Sequence, residues 1–251
     1  MALLTPHKTI NYYHWITEVL GNLWLLKNAG LPINYVDQYL MGHSGAAWQE
    51  KILQLAGMQP ERITPIGDLE DQFIDRMLLP SWGEVTSHSL PDWLSDAIHA
   101  SIGFSRPQAP GTRRVYLSRQ NASRRRVLNE HSLIERLRAH GFECHECGDL
   151  SFRQQQDLLA SAGVVVAPHG AALTNLLWCA PQTDVIELHA HRHQDQSFHL
   201  LARQLRLRYR SHSIAGPSHS SRTREDDLEL DDCDLAVVEW LVRDALNNTA
   251  T

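Results

Sequence analysis

Three segments of the sequence combine residue types that can handle a phosphate or move a proton. The first is Val164-Val165-Val166-Ala167-Pro168-His169-Gly170-Ala171-Ala172-Leu173-Thr174-Asn175. Here an apolar β-branched run breaks into small residues and then a helical stretch. Small residues let another group approach the backbone, and the N–H groups at a helix start, with the positive end of its dipole, favour an anion. The alternative is tight strand-to-helix packing, with Gly170 and the alanines only avoiding a clash. The second segment is Tyr116-Leu117-Ser118-Arg119, followed by Arg124-Arg125-Arg126-Val127-Leu128-Asn129-Glu130. Guanidinium groups are planar, permanently charged forks that suit phosphate oxygens; read alone, the stretch is equally a solvated basic loop with Asn129 as a helix cap. The third is Asn11-Tyr12-Tyr13-His14-Trp15-Ile16-Thr17-Glu18. His14 and Glu18 are one helical turn apart and share a face, as a surface ion pair or as a base with its helper.

Other constellations carry less. Asp232-Cys233-Asp234 has the acid-x-acid form of a metal site but no apolar strand before it, so helix capping is the better reading. Cys144-His145-Glu146-Cys147 has the spacing of half a zinc site, and no second pair matches it. His189, His191 and His193 alternate and could face one side of an extended segment, without a nearby acidic or cysteine partner in sequence. Asn121-Ala122-Ser123 fits a glycosylation acceptor but falls beside the basic loop.

The elements that must position these residues alternate in type. Apolar positions from Trp15 to Leu26 recur at helical spacing, and β-like runs follow at Ile33–Leu40, Arg62–Ile66 and Phe73–Leu79 around a helical stretch from Ala47 to Ala56. Ser105–Thr112, with Pro107, Pro110 and Gly111, reads as a linker. Beyond it the pattern predicts strands at Val115–Ser118, Gly141–Cys144, Gly163–Ala167 and Asp184–Leu188, with helices at Glu130–His140, Gln154–Ala162 and Ala172–Trp178. This is the rhythm of a parallel, doubly wound α/β sheet, whose ligands sit at the carboxyl ends of the strands. Ala215–Asp232 reads as an exposed connection and Asp234–Leu246 as a final amphipathic helix. The expected domains are 1–105, 112–216, and 217–251 as linker and helix.

Composition sets the class. The chain has 251 residues and a formal net charge of -6, which excludes a general nucleic-acid binder. Its 4 cysteines are too few and scattered for a disulfide framework. No leader and no apolar run long enough to span a membrane is read, so a cytoplasmic location is expected.

Together the three segments resemble glycosyltransferase family 61, through Asn-x-x-His at Asn11 to His14, Ser-Arg at Ser118-Arg119, Arg-x-x-x-Asn-Glu from Arg125 to Glu130, and Pro-His-Gly-Ala-x-Leu-x-Asn from Pro168 to Asn175. The resemblance implies a GT-B fold, two Rossmann-like domains facing across a cleft, with the C-terminal helix packing back on the first domain. It implies an inverting, metal-independent transfer of a sugar from a nucleotide diphosphate donor, UDP-sugar favoured, to a hydroxyl of a glycan or other acceptor, with no cofactor. By position, Arg119 and Arg125 would bind the diphosphate, Gly170, Ala171 and Ala172 would offer N–H groups, and Asn129 and Asn175 would shape the site. His169 would touch the diphosphate or hold the loop, and Glu187 would accept from the ribose or serve the structure. Glu18 is assigned as general base and His14 as its support. Only ten residues precede Asn11, fewer than the family usually carries, so the resemblance implies a trimmed first domain. The rivals are a silent sugar-nucleotide-binding protein and a nucleotide-sugar hydrolase or epimerase.

Overall fold

The computed structural model describes residues 1–5, 11–68, 73–80, 90–192, 195–215 and 226–248. The chain forms two compact units, Met1–Ser105 and Arg106–Thr251.

In the first unit, β1 (Ala2–Leu3), β2 (Tyr39–Met41) and β3 (Ile63–Pro65) pair in parallel, in the order β1-β2-β3. The opening helix runs as α1 (Tyr12–Trp15), a π-helical turn over Ile16–Leu20, and α2 (Gly21–Asn28). α3 (Ala47–Leu55) and α4 (Leu94–Ile102) complete the unit, and Gly103, at φ 64°, ends α4 in the left-handed region where a glycine is favoured. Trp15, Ile16, Val19, Leu20, Ile52 and Ile98 are fully buried in its core. The runs expected at Ile33–Leu40 and Phe73–Leu79 shrink to β2 and to a single bridge from Ala2 to Leu78. Residues 33–35 turn instead, and the Tyr39 hydroxyl donates back to the Ile33 carbonyl at 2.8 Å.

The second unit is built on five parallel strands: β4 (Arg113–Ser118), β5 (Glu143–Glu146), β6 (Ala162–Pro168), β7 (Asp184–Ala190) and β8 (Arg208–Ile214). Their order is β5-β4-β6-β7-β8. Every residue of β6 is buried, as a central parallel strand covered on both faces requires. The helices are α5 (Glu130–Ala139), α6 (Phe152–Ala160), α7 (Ser197–Gln204) and α8 (Asp232–Asn248), with a 3-10 stretch over Ala171–Trp178 where an α-helix is expected. Ser151 and Gln154 close a capping box at the start of α6.

One expectation is corrected here. Leu235, Val238, Leu241, Val242 and Ala245 of α8 share a buried cluster with Tyr116, Val164, Val166 and Ile186 of the second unit's own sheet. The apolar stripe of the last helix therefore completes the core of this unit, where the resemblance sends it to the first domain. Of the connection expected over Ala215–Asp232, residues 216–225 lie outside the described residues, while 226–230 run beside 126–129: Leu128 N donates to the Leu228 carbonyl and Leu228 N to the Arg126 carbonyl.

The chain leaves β4 toward β5 on one side of the sheet, and from β6 it proceeds to β7 and β8 on the other. Successive connections therefore diverge between β4 and β6, the place where doubly wound sheets take their ligands. Ser118-Arg119 and His169-Gly170 lie at the carboxyl ends of these two strands.

Candidate functional site

In the first unit the site is made by the start of the opening helix. Asn11 caps it, its Oδ1 accepting from the N–H groups of Tyr13 at 3.0 Å and His14 at 3.4 Å. The Trp15 indole donates to the Gly42 carbonyl at 2.7 Å and fixes this turn to the chain beyond β2. Glu18 sits in the middle of the π-helical turn, a local widening that recurs at functional sites. Its Oε1 is 3.2 Å from His14 Nδ1, and its Oε2 accepts from Thr5 Oγ1 at 2.5 Å. The Glu18 side chain is 13% exposed against 43% for His14, so the carboxylate is held from a buried side and reached from an open one. Thr5 is completely buried. It escapes sequence reading because nothing in the spacing ties it to Glu18.

In the second unit, Arg119, Arg125 and Gly170 come together at the divergence of β4 and β6. A Cβ on Gly170 would lie 1.8 Å from Arg119 Nη1, so the guanidinium rests on the glycine backbone and no other residue fits there without displacing it. The same guanidinium donates to the carbonyls of Arg125 (Nε, 3.3 Å) and Arg124 (Nη2, 3.1 Å), tying the basic loop to the strand end. Glu130 anchors the arrangement from below. Its carboxylate is buried and accepts from Tyr116 Oη at 2.7 Å, Ser118 Oγ at 3.0 Å and the Arg119 N–H at 3.3 Å.

Arg125 has φ 55°, in the left-handed region that a non-glycine residue adopts at a cost, and such strain concentrates at functional positions. Its Nε is buried and has no hydrogen-bond partner among the described residues. Burial, with Arg119 and Arg124 as like-charged neighbours, lowers its pKa to about 10, so it stays cationic at neutral pH. Burial, with Arg124 adding repulsion, likewise depresses Arg119. Two desolvated guanidiniums side by side, one with a donor unspent, form a site of strong positive potential that an anion would relieve. Beside them Gly170 caps the 3-10 stretch that Ala171 and Ala172 begin, whose first N–H groups have no acceptor within the helix.

Three further residues expected at or around the donor make their hydrogen bonds within the protein. Asn129 Nδ2 donates to the Leu230 carbonyl at 2.6 Å and its Oδ1 accepts from Leu230 N at 3.0 Å, so the amide clamps the 226–230 segment beside the basic loop. Asn175 is fully buried, donating to Gln155 Oε1 at 2.8 Å and accepting from the Trp178 indole at 2.9 Å. It holds the 3-10 stretch against α6. Glu187 is also fully buried, with Oε1 2.5 Å from His169 Nδ1 and Oε2 accepting from Tyr209 Oη at 2.7 Å. Both its oxygens are engaged inside the protein, which favours the structural one of its two readings.

His169 directly precedes Gly170, and its ring packs between Phe198, at 5.2 Å, and His189, at 5.4 Å. Burial and the charge of Arg125 lower its pKa to about 4, while burial raises that of Glu187 to about 7. His169, Glu187 and His189 also present ligand-type atoms within 4.8 Å of one another, the residue set that could hold a metal. His169 Nδ1 is in contact with Glu187 and His189 Nε2 lies 3.2 Å from Tyr209 Oη, while the charges of Arg125 and Arg119 bear on His169.

Sequence reasoning misses Asp195 and Glu146 as well as Thr5. Asp195 accepts from the Ser197 N–H at 2.8 Å just before α7 and bears electrostatically on Arg125 and His169. Glu146, at the end of β5, has a buried Oε2 without a partner among the described residues; burial raises its pKa, and it attracts Arg119. Its place beside the end of β4 is the only signal, and it needs the strand order to be seen. Among the remaining motifs, Asp234 exchanges hydrogen bonds with Asp231 at the start of α8 and pairs with His212 at 2.7 Å, which is capping. All four cysteines are free. His193 lies outside the described residues.

Among the described residues no helix is long and apolar enough to cross a membrane. Comparison with curated proteins gave no match. The family model for Glycosyltransferase 61 matches residues 12–186, a span that starts at α1, takes in Glu18, Arg119, Arg125 and the His169-Gly170 loop, and ends in β7. On that match over most of its length, the chain belongs to the glycosyltransferase 61 family and is a glycosyltransferase.

Proposed function

We propose that this glycosyltransferase is inverting and metal-independent, and that it draws its sugar from a nucleoside diphosphate donor, a UDP-sugar before others. The observation that carries this reading is the meeting of Arg119, Arg125 and Gly170 at the divergence of β4 and β6, with the Arg125 Nε–H buried and unspent. In the GT-B arrangement proposed for the two units, the second holds the donor and the first supplies the base. An acceptor hydroxyl attacks the anomeric carbon opposite the leaving diphosphate. The new C–O bond forms as the bond to the phosphate oxygen breaks, Glu18 takes the hydroxyl proton, and configuration inverts.

Negative charge grows on the departing diphosphate. Preorganised guanidiniums and N–H dipoles stabilise that charge more than they stabilise the bound donor, which is the work a divalent cation does in other sites. Thr5 and His14 hold the Glu18 carboxylate in one orientation, so it need not reorganise as the proton arrives.

The test is a thermal-shift panel of nucleoside diphosphates with and without chelator. Stabilisation by UDP, unchanged by chelation, is expected; stabilisation that appears only with a divalent cation would overturn metal independence. Glu18→Gln separates the two units' roles. Nucleotide binding should persist while sugar transfer is abolished, and unchanged turnover would remove Glu18 from the mechanism.

A further inference from the structure

We propose that Glu146 binds the nucleoside end of the donor: its Oε2 accepts a hydrogen bond from a ribose hydroxyl of the nucleoside diphosphate whose phosphates lie on Arg119, Arg125 and Gly170. This rests on the reading of that place as the diphosphate site. It gives Glu146 a role that Glu187, with both oxygens engaged, is poorly placed to take.

The sheet brings the carboxylate there. β5 lies next to β4 on the side away from β6, and Glu146 is the register partner of Ser118, the residue before Arg119. Neighbouring strands stand about 5 Å apart, a step within the reach of a ribose joined to the diphosphate. Electrostatics agree with this placement. Of the charged groups around Arg119, Glu146 bears on it most strongly, ahead of Arg124 and Asp227. Nucleotide-binding α/β sheets take their ligand beyond the carboxyl ends of the strands, where an acidic side chain suits the hydroxyls of a ribose.

The surroundings leave this carboxylate short of donors. Oε2 is buried and has no hydrogen-bond partner among the described residues. The Asn121 backbone and the Ser118 side chain favour the charged form, yet the one proton of the Ser118 hydroxyl already goes to Glu130 Oε2 at 3.0 Å. Burial, with Glu130 and Asp149 as like-charged neighbours, raises the Glu146 pKa. A buried acceptor without a donor is destabilising, and a neutral hydroxyl relieves it without placing a second cation beside Arg119. The ribose stands nearer the phosphates than the base does, and every nucleoside diphosphate carries its hydroxyls. No covalent bond changes and no proton is transferred.

Calorimetric titration of the full chain with UDP and GDP, then with the 2′-deoxy and 3′-deoxy analogues of whichever binds, reads the contribution of each hydroxyl. At least one analogue is expected to bind about tenfold or more weakly than the ribonucleotide, as loss of a hydrogen bond to a charged acceptor requires. In Glu146→Ala that ratio should fall to about one. A merely structural carboxylate would shift the affinities of ribonucleotide and analogue alike, and a ratio unchanged in the variant would overturn the proposal. Equal binding of the ribonucleotide and both analogues by the unaltered protein would also overturn it, leaving the diphosphate site standing. Binding of neither UDP nor GDP would overturn both. Should Glu146→Ala not fold, Glu146→Asp keeps the charge beside Arg119 and withdraws the oxygen by one methylene, so the ratio should shrink there too; an undiminished ratio would count against Glu146.

Discussion

Arg125 concentrates several costs in one residue: a left-handed backbone, a desolvated charge and a buried N–H without an acceptor. Such costs persist where the surroundings enforce them and a ligand repays them. Arg125→Ala is therefore expected to lower turnover by roughly a hundredfold or more, about 3 kcal/mol of transition-state stabilisation, with the fold retained. Steady-state kinetics against a thermal melt checks it. Gly170→Ala is the complementary test. A methyl group 1.8 Å from Arg119 Nη1 must push the guanidinium aside, so nucleoside diphosphate affinity should fall at least about tenfold while circular dichroism stays unchanged. At this scale the sequence was informative about chemistry and poor about direction. Arg119, Arg125 and Gly170 announce themselves by type and order. That Glu187 turns inward to His169 and Tyr209, and Asn129 to Leu230, depends on which side chain lies across from each, and no spacing encodes it.

The elements show the same division. Strands buried on both faces, such as β6, and helices with a clear apolar stripe, such as α5 and α6, were legible because periodicity reflects burial directly. β8 was not, because it is an edge strand carrying Arg208 and Arg210, which pair with the buried Asp184 across the ladder. Its polar alternation looks like loop until its partner is known. Nor does the opening segment reveal that the helix holding Glu18 widens into a π turn, since Ile16, Val19 and Leu20 keep the apolar spacing of a regular helix. Asn129 joins elements distant in sequence, and Asn129→Ala removes both of its hydrogen bonds to Leu230. A loss of about 1–3 kcal/mol in denaturant unfolding is expected, together with weaker nucleotide binding as the basic loop loosens.

For the molecule as a whole, accessibility of the thiols reports the packing of the second unit. Burial pushes Cys147 and Cys179 up to about 12, so neither offers thiolate at pH 8, while Cys233 is exposed. A thiol-reactive dye at pH 8 should label Cys233 at once and reach Cys147 and Cys179 only after denaturation; prompt labelling of either would contradict the core described. The division at Ser105 and Arg106 falls in a segment whose Pro and Gly content marks it in the sequence, whereas the placement of α8 was not legible. An amphipathic stripe says that a helix is buried and leaves open against what. The pairing of 226–230 with 126–129 has a consequence in time. These partners are separated by 101 residues, as between Arg126 and Asp227, so a ribosome adding about 5–20 residues per second reaches the second about 5–20 s after the first. During that interval the nascent arginine loop has emerged without the segment that will brace it. Bracing of the arginine loop must await translation of the 226–230 segment, and a chain stalled before it would expose a cationic loop to whatever polyanion stands near the exit tunnel.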